Sequence, residues 1–263
     1  MAKTITLSII GSCSGTEPMP GRHHTAFTID YDARLYWFDA GESCSYHAHL
    51  AGIDLPSTEA IFISHTHMDH IGGLPNLLWT LRKLSSVSAE AKRKLCNRDI
   101  RLFIPDPTVY DGIVAMLRGT EGGFHTVFGL TANSIEDGIL YHQHGLCVRA
   151  HHNFHLGTSA PFRSYAFRIE AASKVIVYSG DVKSIQDLDP LLHGADLVLM
   201  ETGHHDAADV CRYLKASEKG FDKLIFLHHG RAILNDPMGE LRKARQILGD
   251  KVHVAFDGMV VTL

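Results

Sequence analysis

Six consecutive residues, His65-Thr66-His67-Met68-Asp69-His70, set three imidazoles and one carboxylate side by side in the chain. Neutral imidazole and carboxylate oxygen are good ligands for zinc, and iron, manganese or nickel accept the same donors. The spacing adds geometry to the chemistry. In extended backbone, side chains two residues apart point the same way, so His65 and His67 converge on one point. Asp69 and His70 fall where the chain leaves the extended stretch and can approach from another side. Gly72 and Gly73 follow, permitting a tight exit turn and close backbone approach. A purification tag would be terminal and nearly pure histidine, whereas this stretch is internal and patterned.

Such a motif needs rigid elements behind it. The apolar run Ala60-Ile61-Phe62-Ile63-Ser64 leads into it and reads as a buried strand. Histidine is over-represented, with 19 in the chain, so only those in patterned positions are informative. Three later strands end in further donors. Leu146 to Ala150 runs into His151-His152-Asn153-Phe154-His155. Lys174 to Tyr178 ends at Ser179-Gly180-Asp181, and a carboxylate at the end of a buried strand is costly unless it binds something. Lys223 to Leu227 delivers His228 and His229. Between them, Ala195 to Thr202 is another buried strand, followed by His204 and His205.

Composition narrows the class. A chain of 263 residues makes one large domain or two small ones, with a substantial core. No apolar run reaches the length of roughly 18 residues that spans a bilayer, and Met1-Ala2-Lys3 leads directly into the first strand. A soluble, cytoplasmic protein with no membrane partner is expected. The five scattered cysteines, Cys13, Cys44, Cys96, Cys147 and Cys211, include no C-x-x-C and suit free thiols in a reducing compartment. A net charge of −4 offers no global attraction to nucleic acid. Residues 82–101 are locally basic, with seven Lys or Arg against Glu90 and Asp99. A solvated helix face is the ordinary reading, and contact with an anionic substrate is the alternative.

The remaining elements follow in order. Thr4 to Ile10, Ala26 to Tyr31 and Leu35 to Phe38 alternate as strands, and Gly11 to Thr16 is a turn-rich loop without the Gly-Lys-Ser/Thr of a phosphate loop. Helices are expected from Cys44 to Leu50, Leu74 to Leu84, Val109 to Leu117, Ala207 to Lys219 and Pro237 to Leu248. Gly119 to Gly138 is glycine-bearing and reads as a mobile loop over the site. Leu102-Phe103-Ile104, Ser164 to Glu170 and Val252 to Asp257 supply further strands. Strands alternating with helices, in two halves that each deliver donors from strand ends, imply an α/β fold of αββα layering.

The motif H-x-H-x-D-H after a hydrophobic strand resembles the signature of the metallo-β-lactamase superfamily. Within it, the opening of the chain resembles ribonuclease Z: a Gly/Ser turn after the first strand, Arg22-His23-His24-Thr25, and Phe38-Asp39-Ala40-Gly41-Glu42 before the motif. The resemblance covers nearly the whole chain. It implies a single metallo-β-lactamase-like domain over residues 1–263, an αββα sandwich of two mixed sheets flanked by helices. It also implies two divalent metal ions, zinc first, with manganese or iron(II) as alternatives. By the same resemblance His65, His67 and His155 bind one ion, Asp69, His70 and His228 bind the other, and Asp181 bridges them. His155 is chosen because the family histidine follows seven residues after the valine of a Val-x-Ala strand end, here Val148. His151 and His152 remain rivals for that place, and His229 for the place of His228. Asp39 is expected to support the ligand loop through hydrogen bonds, and His24 to be a buried, hydrogen-bonded neighbour.

The implied activity is that of a dinuclear metal-dependent hydrolase, foremost a phosphodiesterase using a metal-bridged hydroxide. Asp69 can orient the water or accept its proton. Relatives carry His-Glu-Ala-Thr where this chain has Met200-Glu201-Thr202-Gly203, so His204, with His205 as the alternative, is left to donate a proton to the leaving group. That departure, with no evident counterpart of the long tRNA-clamping arm, argues against tRNA 3′ processing. A small-molecule or short nucleic-acid phosphodiester is the expected substrate. An ester, lactone or thioester hydrolase on the same metals is the alternative, because the fold does not fix the substrate. Relatives often pair, which makes a homodimer a candidate assembly.

Overall fold

The computed structural model describes residues 3–16, 19–120, 123–217 and 219–263. Its strands form two seven-stranded sheets. The first contains β1 (Thr6–Gly11), β2 (Ala26–Tyr31), β3 (Arg34–Phe38), β4 (Thr58–Phe62), β5 (Asp99–Ile104) and β6 (Gly129–Ser134), in that order, with β14 (Val260–Thr262) beside β1. The second runs β13 (Val252–Val254), β12 (Phe221–His229), β11 (Ala195–Thr202), β10 (Lys174–Tyr178), β9 (Tyr165–Ala171), β8 (Leu146–His152), β7 (Gly138–Gln143). Both are mixed: hairpins pair antiparallel at one side, and helix-linked strands pair parallel at the other.

Strand alternation builds three layers of core. Inward residues of the first sheet, such as Leu7, Phe27, Phe38 and Phe62, meet Phe167, Ile169, Leu199 and Ile225 of the second. Phe27, Phe38, Phe62 and Phe103 stack in a row across adjacent strands at ring separations of 5.0, 5.0 and 4.9 Å, which locks the strand register. The outer face of the first sheet is covered by α1 (Cys44–Leu50), α3 (Leu74–Val87) and α5 (Pro107–Thr120); α2 (Met68–Ile71) and α4 (Ala89–Leu95) are short connectors. α3 buries Leu74, Leu77, Leu78 and Leu81, the helical spacing read from the sequence. The second sheet is covered by α6 (Ala207–Ala216) and α8 (Pro237–Leu248), with α7 (Arg231–Asn235) between β12 and α8. Asp206 and Asp236 cap α6 and α8, accepting from the first free amides of each. The result is the expected αββα sandwich.

Two stretches differ from the sequence reading. The described residues of Gly119 to Gly138 form no lid over the site, packing instead against the helix-covered face of the first sheet; residues 121 and 122 lie outside them. Gly129–Ser134 is β6, an edge strand paired parallel to β5, and Phe128 and Ile135 anchor its two ends in the core. Its sequence, Gly-Leu-Thr-Ala-Asn-Ser, has little strand propensity, so pairing with β5 decides it. β7 is the second unread element. It joins β8 through the two-residue turn His144-Gly145, both at positive φ (54° and 79°), the twist that suits a tight hairpin. Among the described residues no helix is long and apolar enough to cross a membrane.

Candidate metal centre

β8, β10, β11 and β12 all run the same way, so their C-terminal ends lie together at one rim, facing the end of β4 across the sandwich. The donor-bearing segments emerge there. Asp39, at the end of β3, is the pivot behind them. Its carboxylate is fully buried and accepts from the Ser64 amide (2.7 Å), Ser64 Oγ (2.8 Å) and the Tyr178 phenol (2.5 Å), and it lies 2.7 Å from His70 Nδ1. A carboxylate can only accept, so Nδ1 of His70 carries a proton, and in the neutral ring Nε2 presents a lone pair. Ser64 Oγ, having donated to Asp39, is left to accept from His65 Nδ1 at 3.1 Å, which frees His65 Nε2 in the same way. Tyr178 comes from the second sheet and Asp39 from the first, so this network also ties the two halves of the site together.

Two clusters result. In one, His67 Nδ1 lies 3.0 Å from His65 Nε2 and 3.4 Å from His155 Nε2, and these two Nε2 atoms lie 3.6 and 3.7 Å from Asp181 Oδ2. In the other, Asp69 Oδ2 lies 3.1 Å from His228 Nε2 and 3.6 Å from His70 Nε2, and both nitrogens lie 3.3 Å from Asp181 Oδ1. Asp181 thus faces one cluster with each oxygen. Gly180 holds it there at φ 54°, where a Cβ would stand 2.8 Å from the Tyr165 carbonyl and 2.9 Å from Ser64 Cβ.

The donor set fits divalent cations. In the neutral tautomers so fixed, His65 Nε2 and His70 Nε2 present lone pairs, and among the described residues the buried atoms His70 Nε2 and Asp181 Oδ1 have no hydrogen-bond partner. Burial opposes charge on His70, but with no cation present Asp181 and Asp39 raise its pKa well above the ordinary histidine value. Converging imidazole lone pairs and carboxylate oxygens repel one another unless a cation or protons intervene. The electrostatics agree. Burial pushes the Asp181 and Asp69 carboxyls upward, but His70 and His228 beside them outweigh it and hold both below the usual carboxylate range. Burial opposes charge on His228 as well, yet Asp181, the hydrogen bond with Asp69 and the nearby Glu201 carboxylate lift it to about 9. His65, burdened first by burial and then by the neighbouring imidazoles, is held well below the normal histidine value.

The structure also sorts the rivals. His228 sits at φ 50° on a bulge where the pairing of β11 with β12 slips, Glu201 opposing Leu227 and Thr202 opposing His229. Strand alternation alone would send His228 outward with Leu224 and Phe226; the bulge turns it inward. His229 has both ring nitrogens engaged, with Thr202 Oγ1 at 3.1 Å and the Ala255 carbonyl at 2.9 Å. His155 joins the first cluster, whereas His151 and His152 lie with Asp137 instead. His24 is not the buried, hydrogen-bonded neighbour expected: its side chain is 22% exposed and its ion-pair contact is Glu42 at 3.8 Å. His23 makes the stronger bond, to Asp257 at 2.7 Å.

The sequence reading does not single out one further carboxylate at this rim. Glu201 is fully buried at the rim, where its Oε2 accepts from the His204 amide (2.9 Å) and its Oε1 from His204 Nδ1 (3.1 Å). The signal was present, because Leu197, Leu199 and Glu201 alternate onto the inner face. Met200 packs the other way, with Val177, Val198 and Phe226, so its departure from the family pattern removes nothing from the site. The Glu201 hydrogen bond raises the His204 pKa above the ordinary histidine value. His205 Nε2, by contrast, is engaged by the Val182 carbonyl at 3.0 Å. The cleft in front has a volume of about 350 Å³, bounded by Ser14, Gly15 and Thr16 on one side and by His67, Asp69, Gly203 and His204 on the other. None of the basic residues of 82–101 lines this cleft. Lys94 pairs with Asp54 (2.7 Å) and Arg98 with Glu59 (3.0 Å), beside the start of β4 rather than the end that leads to His65.

Fold and site together define a chain of the metallo-β-lactamase class. It belongs to the β-lactamase superfamily, whose domain model matches residues 34–229, and it is similar in sequence to ribonucleases Z. A ribonuclease Z from Clostridium kluyveri is 27% identical over 148 residues, 54% of this chain and 49% of its own length. The chain therefore spans about half the length of that relative, and less of others it matches. Among solved structures, the metallo-β-lactamase fold protein YhfI from Bacillus subtilis superposes with a TM-score of 0.74 at 18% identity, covering 99% of this chain and 100% of that one. The short form of human tRNase Z gives 0.71 at 19% identity, covering 97% and 98%.

Proposed function

We propose that the chain is a metal-dependent phosphodiesterase with a dinuclear centre, acting on a small or short nucleic-acid phosphodiester. The observation that carries this reading is Asp181, one oxygen turned to each cluster, with the Glu201–His204 pair at the cleft mouth. His65, His67 and His155 would hold one ion, Asp69, His70 and His228 the second, and Asp181 both. Two divalent ions, zinc foremost, would lower the pKa of water at the site and neutralise charge growing on the phosphoryl oxygens.

The chain's own groups do the rest. Asp69, 12% exposed and held ionised, can orient the attacking water by accepting a hydrogen bond from it. Glu201 fixes the proton on His204 Nδ1, which leaves Nε2–H of the imidazolium to protonate the departing alkoxide. The similarity to ribonuclease Z favours phosphodiesters over acyl substrates. The cleft volume suits a compact diester or the end of a strand. Both sheets share one inner core, which supports reading residues 1–263 as one domain.

The test is hydrolysis of bis(p-nitrophenyl) phosphate by protein loaded with zinc or manganese, beside Asp181→Ala. Turnover that disappears in the variant is expected. A wild-type protein that holds two ions yet leaves the diester intact, while cleaving an ester, lactone or thioester, would overturn the phosphodiesterase reading.

A further inference from the structure

The centre leaves two neighbouring histidines unused, and they are not scattered. We infer that Asp137, His151 and His152 bind a third divalent transition-metal ion, at a site separate from the paired centre.

The register of the β7–β8 hairpin builds this cluster. Gly138 opposes Ala150, so Asp137 stands across from His151, with His152 next along β8. Asp137 accepts from the His152 amide at 2.6 Å, and its Oδ2 lies 2.6 Å from His152 Nδ1 and 3.5 Å from His151 Nδ1. One carboxylate oxygen therefore draws two imidazole nitrogens. A hydrogen bond explains the first approach, but 3.5 Å is too long to explain the second. The three donor atoms lie within 4.8 Å of one another, so a small adjustment lets them converge on one ion.

The rings are also held. His152 stacks on Phe162 with centroids 3.8 Å apart and planes 10° apart, Phe154 meets it edge-on at 5.4 Å, and the two histidine rings lie 4.8 Å apart. Side-chain exposures of 30% for His151 and 20% for His152 leave solvent access without full hydration. Two imidazoles and one carboxylate select zinc, cobalt(II) or nickel(II) over magnesium or calcium, with water completing the shell. Three protein ligands at a half-open edge bind more weakly than the buried paired centre.

The location gives such an ion something to hold. Residues 135–137 cross from β6, the edge of the first sheet, to β7, the edge of the second. An ion on Asp137 and β8 would fasten that crossover to the strand end three residues before His155.

The test is equilibrium dialysis of the full chain against cobalt(II), with elemental analysis and the visible spectrum of the bound ion, on wild type, His151→Ala and Asp137→Asn. Each variant should bind one ion fewer per chain and lose one set of cobalt bands, while hydrolysing diester as the wild type does. Asp181→Ala should keep the ion that those variants lose. The difference between wild type and variant reads this site, and the total reads the paired centre, so either assignment can fail alone. Equal stoichiometry in wild type and both variants would overturn the third site. So would displacement of this cobalt by millimolar magnesium, which would remove the imidazoles from the ligand set.

Discussion

Replacing Asp39 with asparagine probes the support of the site without touching any proposed ligand. The native carboxylate serves four donors, the Ser64 amide, Ser64 Oγ, Tyr178 and His70 Nδ1, and every partner is buried. Asparagine has one acceptor oxygen. Placed at the Oδ2 position it still receives three donors, but its NH2 then faces the Ser64 amide at the Oδ1 position, donor against donor. One buried donor left unsatisfied costs about 1–3 kcal/mol. Loss of charge assistance in the other bonds, which makes such bonds about twice as strong as neutral ones, brings the total to roughly 2–5 kcal/mol. His70 also loses the carboxylate that fixes its tautomer and raises its basicity, so zinc affinity should fall about 10–100-fold. Tyr178→Phe removes one donor and keeps the charge, so about 1 kcal/mol and less than a tenfold change in zinc affinity are expected. Urea unfolding of the metal-free proteins gives the first quantity, and zinc competition against a chromogenic chelator gives the second. An Asp39→Asn protein as stable as wild type, with the same zinc affinity, would refute the argument that this network holds His70 in its ligating form.

His204→Ala should lower kcat on diesters with a poorly departing alkoxide about 10²–10⁴-fold, while p-nitrophenolate release, needing no proton, changes little. Equal losses on both leaving groups would assign His204 to binding instead. In the metal-free protein, burial depresses the His229 pKa from 6.5 to about 3, so the unfolded chain binds more protons between these values. Its contribution is therefore complete above pH 6.5 and is lost as pH falls toward 3, by up to about 4–5 kcal/mol. Urea unfolding between pH 7 and 4 should show a shallower pH slope for His229→Gln than for wild type. Parallel slopes would mean that His229 does not titrate in that window.

The sequence by itself determined the motif from His65 to His70, the αββα layering and the strand ends that carry donors, because these rest on local signals. Hydrophobic alternation writes a strand into consecutive residues, and three imidazoles within six residues declare their chemistry without reference to the rest of the chain. Glu201 is legible by the same alternation, two residues on from Leu199. Tertiary structure decided what depends on partners far along the chain. Whether His228 or His229 enters the site turns on a bulge set by pairing with β11. Gly129–Ser134 becomes a strand only because β5 offers it an edge, against its own weak propensity. Lys94 and Arg98 of the basic stretch are engaged by Asp54 and Glu59, which folding places beside them. Asp39 reads from the sequence as a support for the ligand loop, whereas its fourth donor, the Tyr178 phenol at 2.5 Å, is supplied by β10 across 139 residues of chain. Local patterns fix what each segment is, and only long-range packing fixes which side chains meet.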